Sequence, residues 1–510
     1  MFKQCSSRRL HYGPSLRAFV LVTIGVMVAT GCQGGASTPA ATTPTQTASA
    51  QMTAPVVATT SAPTTGATAA AGTTAEQQPI AGGPVLLRTG ISLRKIVDVN
   101  SGSVKLARNP VNGQLYFLNP GDGISRVDIG PSPTATQIVQ KTDVFTDGVA
   151  SGMTFGPDGT LFIVANRKFG RYRTQALIRK GVTTAAGGFT WTTLATTEPY
   201  PLSATPFDHL WNGIVASSDG QWIFVNAGSR TDHGEVESNT GSFPDTRDVA
   251  LTAKIFRLPA KATDLVLPND DATLTAQGRI FARGTRNAFD LQFAPNGDLF
   301  AIDNGPDADF PDELNWLREG HHYGFPWRFG NQDNPQQFPG YDSSKDLRLS
   351  QDFTAVRTGT YRNDTGFPKP PGPFTNPVIN LGPDGAQFRA EDGTQHDAGA
   401  EHMPLYTFTP HRSPLGLVFG TDAKLPVDLR STSNAQSAFV LSYGAAAGTL
   451  TDKGQDLLHL TLTKRGDNYE AVTTQLAREF KYPISEVMIE NRLYVLEYGS
   501  GSAIWELTFK

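Results

Sequence analysis

At 510 residues the chain is too long for one ordinary small domain and suits one large β domain with appendages. It holds 51 glycines and 35 prolines, only 18% of its residues are charged, and its formal net charge is −4. There is no basic stripe to neutralise phosphates, which argues against nucleic-acid binding, and no Gly-x-Ser-x-Gly elbow, Cys-x-x-Cys pair or P-loop.

The chain opens as an export signal over residues 1–31. Arg8, Arg9 and Arg17 form a basic start, and Ala18 to Ala29 is an apolar run too short to span a bilayer comfortably. It ends Val28-Ala29-Thr30-Gly31-Cys32. Small residues before a cysteine at this place resemble the bacterial lipobox. That resemblance implies cleavage before Cys32, lipidation of Cys32, and an extracytoplasmic protein, periplasmic or at the cell surface, held to the membrane by a lipid anchor only. The alternative is a plain signal peptide with an incidental cysteine. The other cysteine, Cys5, lies in the part removed, so the mature chain has no disulfide and its stability must come from core burial. Residues 32–83 are rich in Ala, Thr, Ser, Pro and Gly with almost no charge; such a stretch cannot bury a core and reads as a disordered tether.

From residue 84 to 510 the texture changes to short alternating strands. One theme recurs: a turn containing Asn-Gly, Asp-Gly or a relative, then an apolar strand. It appears at 109–119, 156–166, 217–228, 294–305 and 489–499, with a weaker copy lacking the turn at 437–444. Six copies predict an all-β fold, a six-bladed β-propeller of four-stranded blades; a β-sandwich is the main alternative. The irregular spacing implies long insertions, notably Gln332 to His402. The strand Val85–Val99 and the last copy are candidates for closing the ring.

The most informative stretch is Arg283 to Trp327. Two alternating runs, Phe289–Phe293 and Asp298–Ile302, flank Pro295-Asn296-Gly297, a hairpin pattern in which Asn-Gly tolerates positive φ. The following Asp303-Asn304-Gly305-Pro306-Asp307 cannot continue a central strand and must be a loop. Its carboxylates, Asp303, Asp307, Asp309, Asp312 and Glu313, either face solvent or hold a hard cation such as Ca2+.

Arg286-Asn287, the hairpin, Asn304-Gly305-Pro306, Asp312-Glu313-Leu314-Asn315 and Tyr323-Gly324-Phe325-Pro326 follow in an order that resembles the core signature of the soluble PQQ-dependent glucose/sorbosone dehydrogenases. The resemblance implies a PQQ- and Ca2+-dependent oxidation of a sugar or related alcohol or aldehyde, with an external electron acceptor. It implies that Arg286, Asn287 and Asn304 contact the quinone cofactor; a guanidinium fork suits PQQ's carboxylates. Gly305 and Pro306 match positions whose carbonyls ligate the Ca2+. Asp312 and Glu313 follow the pattern with two extra residues in the loop. His209, in Phe207-Asp208-His209-Leu210-Trp211-Asn212-Gly213, matches the family's general base, a role for which imidazole is suited, and Asp208 a sugar contact beside it.

Two departures stand out. Relatives place an Asp after Gly to orient the histidine; here the run is Gly228-Ser229-Arg230-Thr231-Asp232, so either Asp232 serves from a shifted position or the orienter is lost. Arg412, in Thr409-Pro410-His411-Arg412-Ser413-Pro414, matches a further anion contact of the sorbosone-type branch, yet the strand ending at Tyr443 leads into Gly444-Ala445-Ala446-Ala447-Gly448 without the cation relatives carry there. Losing such contacts costs a tricarboxylate site about 1.5–3 kcal/mol each. Two alternative functions therefore stay open: a cofactor-free extracytoplasmic binding propeller, and a Ca2+-dependent propeller hydrolase such as a lactonase.

Overall fold

The computed structural model describes residues 80–510 apart from 146, 186, 445–447 and 449. The export signal, Cys32, nearly all of the tether and Ala445 to Ala447 lie outside the described residues.

Six antiparallel sheets form the blades. Blade 1 is Lys105–Arg108, Leu115–Asn119, Gly123–Asp128 and Thr134–Gln140. Blade 2 is Gly148–Phe155, Leu161–Phe169, Arg173–Thr183 and Phe189–Thr197. Blade 3 is Trp211–Ala216, Trp222–Ala227, Lys254–Pro259 and Ile280–Arg283. Blade 4 has three strands, Ala288–Phe293, Leu299–Asp303 and Glu313–Leu317. Blade 5 is Pro414–Phe419, Ala435–Ser442, Asp456–Arg465 and Asn468–Arg478. Blade 6 takes Pro483–Ile489, Arg492–Glu497 and Ala503–Phe509 from the C-terminus and its outer strand, Ile91–Asp98, from the N-terminal side, with Ile91 opposite Phe509. The first strands of the blades pack on one another in a closed ring, the sixth returning to the first. The propeller expected from the repeats is the fold observed.

Each recurring copy supplies the second strand of a blade, where alternation gives way to nearly continuous burial: Leu115–Asn119 and Leu299–Asp303 are buried at every position. Both faces of these strands pack on neighbouring blades, so both faces are apolar. The turns differ from expectation in one respect. At Ala294–Gly297 the Gly297 N–H donates to the Ala294 carbonyl at 2.9 Å and only Gly297 has positive φ, +89°. This is a type I turn closed by a left-handed glycine; Asn296 instead accepts from the Asp298 N–H through Oδ1 at 3.1 Å.

Among the described residues blade 4 has no fourth strand, because the chain leaves it at Leu317 for the long insertion. Part of that insertion, Ile379–Pro383, runs parallel to the outer strand of blade 5. Another part, through Ala355 and Tyr361, packs in one apolar cluster with Phe207, Phe310, Phe325 and Phe329. The insertion thereby lies against the face on which the blade 3 and blade 4 loops meet.

Along the axis the inner strands carry an isolated polar group. Lys105 of blade 1 pairs with Asp290 of blade 4 at 2.5 Å, both nearly enclosed. Glu486 of blade 6 stands beside them with both carboxylate oxygens buried and no hydrogen-bond partner among the described residues. Burial, then the Asp290 charge, pushes its carboxyl well up. The unfolded chain releases this proton near its ordinary value while the folded protein keeps it. Glu486 therefore favours folding at acid pH, and this contribution is lost as pH rises toward its folded value. Glu486→Gln removes the alkaline penalty, so urea unfolding should show the variant more stable by about 1–3 kcal/mol at alkaline pH, with the gap closing on acidification. A variant less stable at both ends would contradict the account.

Candidate active site

His209 arrives on the segment leading into the inner strand of blade 3 and is 6% exposed. Its ring Nδ1 lies 3.1 Å from Ser229 Oγ, and its backbone N–H donates to the Ser229 carbonyl at 2.9 Å. The Ser229 N–H in turn donates to the Arg286 carbonyl at 2.7 Å. The strap from Gly228 to Thr231 thus ties the histidine to the arginine. Gly228 is needed there, because a Cβ would stand 2.5 Å from the His209 Cβ. Burial, and next the Arg286 charge, lowers the imidazole well below its ordinary value, which favours its uncharged form near neutral pH.

Arg286 is held by a carboxylate. Its Nε donates to the Asp232 carbonyl and its Nη2 to Asp232 Oδ1, both at 2.7 Å, while Nη1 donates to the Asn304 carbonyl at 3.2 Å. Asp232 is fully buried and also accepts from His233 Nδ1 at 2.8 Å. Burial would raise Asp232, but Arg286 and His233 hold it down to about 2. His233 stacks on Tyr361 at 3.7 Å, and its Nε2 faces the Thr360 carbonyl at 3.3 Å. A carbonyl can only accept, so Nε2 carries a proton; with Nδ1 against a carboxylate the ring is an imidazolium. Although burial opposes this charge, Glu235 and Asp232 raise His233 above its ordinary value.

Behind Arg286, Asp303 accepts the backbone N–H groups of both Arg286 and Asn287. Burial lifts Asp303 to about 6 against those bonds. Asn287 Oδ1 accepts from Asn212 Nδ2 at 2.8 Å, and Asn212 Oδ1 accepts from Asn226 Nδ2 at 2.8 Å. In this buried amide chain each dipole orients the next. It leaves Asn287 Nδ2 without a partner among the described residues. Asn304 is 8% exposed, and its Oδ1 is enclosed with no hydrogen bond. It lines a small cavity together with Arg286, Asp303, Gly305 and Glu313.

In the acidic loop the carboxylates are taken up by groups of the protein itself. Asp312 accepts from the Gly305 N–H at 2.7 Å and the Ser413 N–H at 2.8 Å. Asp307 accepts from the Ala355 N–H at 2.9 Å, and Asp309 takes the side chains of Arg389 and His411. The Pro306 carbonyl accepts from the Ala308 N–H at 2.8 Å. No group of three His, Cys, Asp or Glu side chains among the described residues has metal-holding geometry.

Residues 197–351 match the family described as Glucose / Sorbosone dehydrogenase. No curated protein matches the chain. Among solved structures, the apo soluble aldose sugar dehydrogenase (Asd) from Escherichia coli superposes with a TM-score of 0.53 at 15% identity, covering 82% of this chain and 100% of that one. The holo PQQ domain of pyranose dehydrogenase from Coprinopsis cinerea gives 0.52 at 13%, covering 82% and 96%. A structure described as glucose dehydrogenase gives 0.51 at 14%, covering 81% and 99%. At these identities the likeness is one of fold.

The matched span holds Asp208, His209, Arg286, Asn287, Asn304, Gly305 and Pro306. The structure brings His209, Arg286, Asn287 and Asn304 together. Asp208 points elsewhere: its Oδ2 accepts from the Ser203 N–H at 2.7 Å and the Ala204 N–H at 3.1 Å, bracing the preceding loop, and burial raises it to about 6. Arg412 lies outside the matched span, fully buried, with Asp452 on Nη1 and both oxygens of Asp456 on Nη2. The fork expected to meet an anionic cofactor is taken up inside blade 5. Asp232, one of two outcomes expected for orienting His209, pairs with Arg286. Sequence reasoning missed Ser229, Asn212, His233 and Tyr361. Of these, only Asn212 sits inside a run that carries the family resemblance, between Trp211 and Gly213.

Proposed function

We propose that the protein is a PQQ-dependent sugar dehydrogenase-like oxidoreductase acting on a sugar or related alcohol. The observation that carries this reading is the convergence, within the family-matched span, of a neutral buried imidazole with a guanidinium and two amides that keep unused polar atoms. Among the described residues Arg286 uses three of its five N–H groups on protein oxygens, leaving two. Asn287 Nδ2 and the enclosed Asn304 Oδ1 are unpaired as well. A planar polycarboxylate fits the free N–H donors of Arg286 and Asn287 in kind, with Arg286 facing a carboxylate, whereas Asn304 Oδ1 can only accept and would take an N–H or O–H of the bound group. Gly305 and Pro306 carbonyls are what the chain would offer a Ca2+, whose usual six to eight oxygens would be completed by cofactor and water. When bound, PQQ supplies the two-electron acceptor for the hydride leaving the substrate carbon. The chain's own part is to accept the hydroxyl proton at His209 Nε2, to place Arg286 where negative charge develops, and to keep water out beneath the apolar cluster of Phe310 and Tyr361.

A second reading, a cofactor-free binding propeller, is favoured by Arg412, whose guanidinium is taken up by Asp452 and Asp456. Thermal shift separates the two, with Ca2+ alone and then Ca2+ plus PQQ, followed by an artificial-acceptor assay across aldoses. A ligand bound only by the folded state stabilises it by about 2.7 kcal/mol at a hundredfold excess over its Kd. A clear shift with PQQ and turnover of at least one aldose are expected. No shift at micromolar PQQ would transfer the assignment to the binding reading.

A further inference from the structure

Among the described residues the ring of His209 makes one hydrogen bond, Nδ1 to Ser229 Oγ at 3.1 Å. The partner's own geometry decides who donates. Ser229 Oγ lies 2.8 Å from the Thr231 carbonyl oxygen. A carbonyl oxygen accepts and never donates, and a hydroxyl has one proton, so that proton points at Thr231. Ser229 Oγ is then the acceptor toward His209, and Nδ1 must carry the ring proton. The remaining nitrogen, Nε2, has no hydrogen-bond partner among the described residues and is not among the fully enclosed orphan atoms.

We propose that Ser229 is the positioning residue that holds His209 in its Nδ1–H tautomer and presents Nε2 as the proton acceptor, in the place where the family pattern has a carboxylate. The inference rests on the reading of His209 as the base. Three observations support it independently of that reading. First, the hydroxyl cannot swing away: Ser229 is fully buried, its N–H is fixed on the Arg286 carbonyl and its C=O on the His209 N–H. Second, the acceptor for its proton is itself anchored, since Asp248 takes both the Arg230 N–H and the Thr231 hydroxyl. Third, the carboxylate that could have competed, Asp232, is engaged by Arg286 and His233. A hydroxyl orients without adding charge. It fixes the tautomer as a carboxylate would, yet gives no electrostatic help to a protonated ring, and burial together with Arg286 already disfavours that form.

The test reads the ring directly. The full chain is labelled with 15N-histidine, and two-bond proton–nitrogen correlations are recorded near neutral pH, the His209 signal being assigned by its loss in His209→Asn. The wild type should show a protonated Nδ1 and an unprotonated Nε2. Ser229→Ala should lose that preference, and Ser229→Thr, which keeps the hydroxyl, should restore it. In the PQQ-loaded enzyme Ser229→Ala should lower kcat by about 10-fold or more, toward but not beyond the roughly 10⁴-fold loss that follows when a general-base imidazole is held in the wrong tautomer, with KM unchanged. A wild-type His209 protonated on Nε2, or a Ser229→Ala spectrum identical to wild type, overturns the proposal. Should Ser229→Ala fail to fold, the wild-type spectrum alone decides. If the loaded wild type oxidises no sugar, the dehydrogenase reading falls, and the tautomer measurement still judges Ser229.

Discussion

Replacing His209 by alanine should lower turnover of the loaded enzyme by about 10²–10⁴-fold, the usual contribution of a positioned general base, while the thermal shift produced by PQQ stays as in the wild type. The pH profile carries a second expectation. Burial and Arg286 put the folded imidazole well below its ordinary 6.5, so the neutral base persists on mild acidification. The acid limb of kcat/KM should therefore lie below the value of a free imidazole. The stability consequence has the opposite sense: the unfolded chain takes up this proton first, so acidification through 6.5 costs folding stability. A rate that already falls as pH drops through 6.5, or a His209→Ala enzyme with wild-type turnover, would remove His209 from the mechanism.

Arg286→Ala should be felt in the fold before it is felt in the chemistry. Removing one partner of a buried ion pair typically costs about 3–5 kcal/mol, and Asp232, fully buried, would keep only His233, Tyr361 and the Asp307 N–H. The low end of that range is expected, measured by urea unfolding. A paired change, Arg286→Met with Asp232→Asn, should recover most of the loss, because no unpaired charge remains. Acid should reveal the same pair. Asp232 is held at about 2 against 3.8, so its contribution is present above 3.8 and lost as pH falls toward 2; in Arg286→Ala the folded carboxyl moves up toward or past 3.8, so this acid-induced loss should shrink or vanish. If Arg286→Ala is as stable as wild type yet no longer binds PQQ, the arginine serves the ligand alone.

The propeller could be seen in the sequence because each blade announces its second strand with a turn residue and an apolar run, both local signals. What was not visible were features fixed at long range. Blade 4 stops at three strands because its continuation is diverted into the insertion, and nothing within Glu313–Leu317 marks that. Arg412 read as an anion contact from its neighbours, but its partners stand 40 and 44 residues further on, at Asp452 and Asp456. The site divides in the same way. Arg286-Asn287 and Asn304 lie in a dense motif and could be picked out. Ser229 could not: a serine after a glycine is a weak signal, and its function depends on where Thr231 turns its carbonyl. Asp232 drew attention as a carboxylate near the right place, but a carboxylate in a buried strap goes to the strongest cation within reach, and that is Arg286.

The closing blade has a consequence for how the molecule is made. Strand Ile91–Asp98 has its ladder partner at Ala503–Phe509, about four hundred positions later. The strands named for blades 1 to 5 each follow one another in sequence and can form as their segments appear, but the ring has no last wall until Ala503–Phe509 exists. Until then Ile91 and Leu93 have no cover from Trp505, Leu507 and Phe509, and their strand presents an unpaired edge. Non-local pairings of this kind come late, since the entropy of loop closure must be met before the contacts return anything. An unfinished chain is therefore a sticky one, with strand Ile91–Asp98 waiting for Ala503–Phe509.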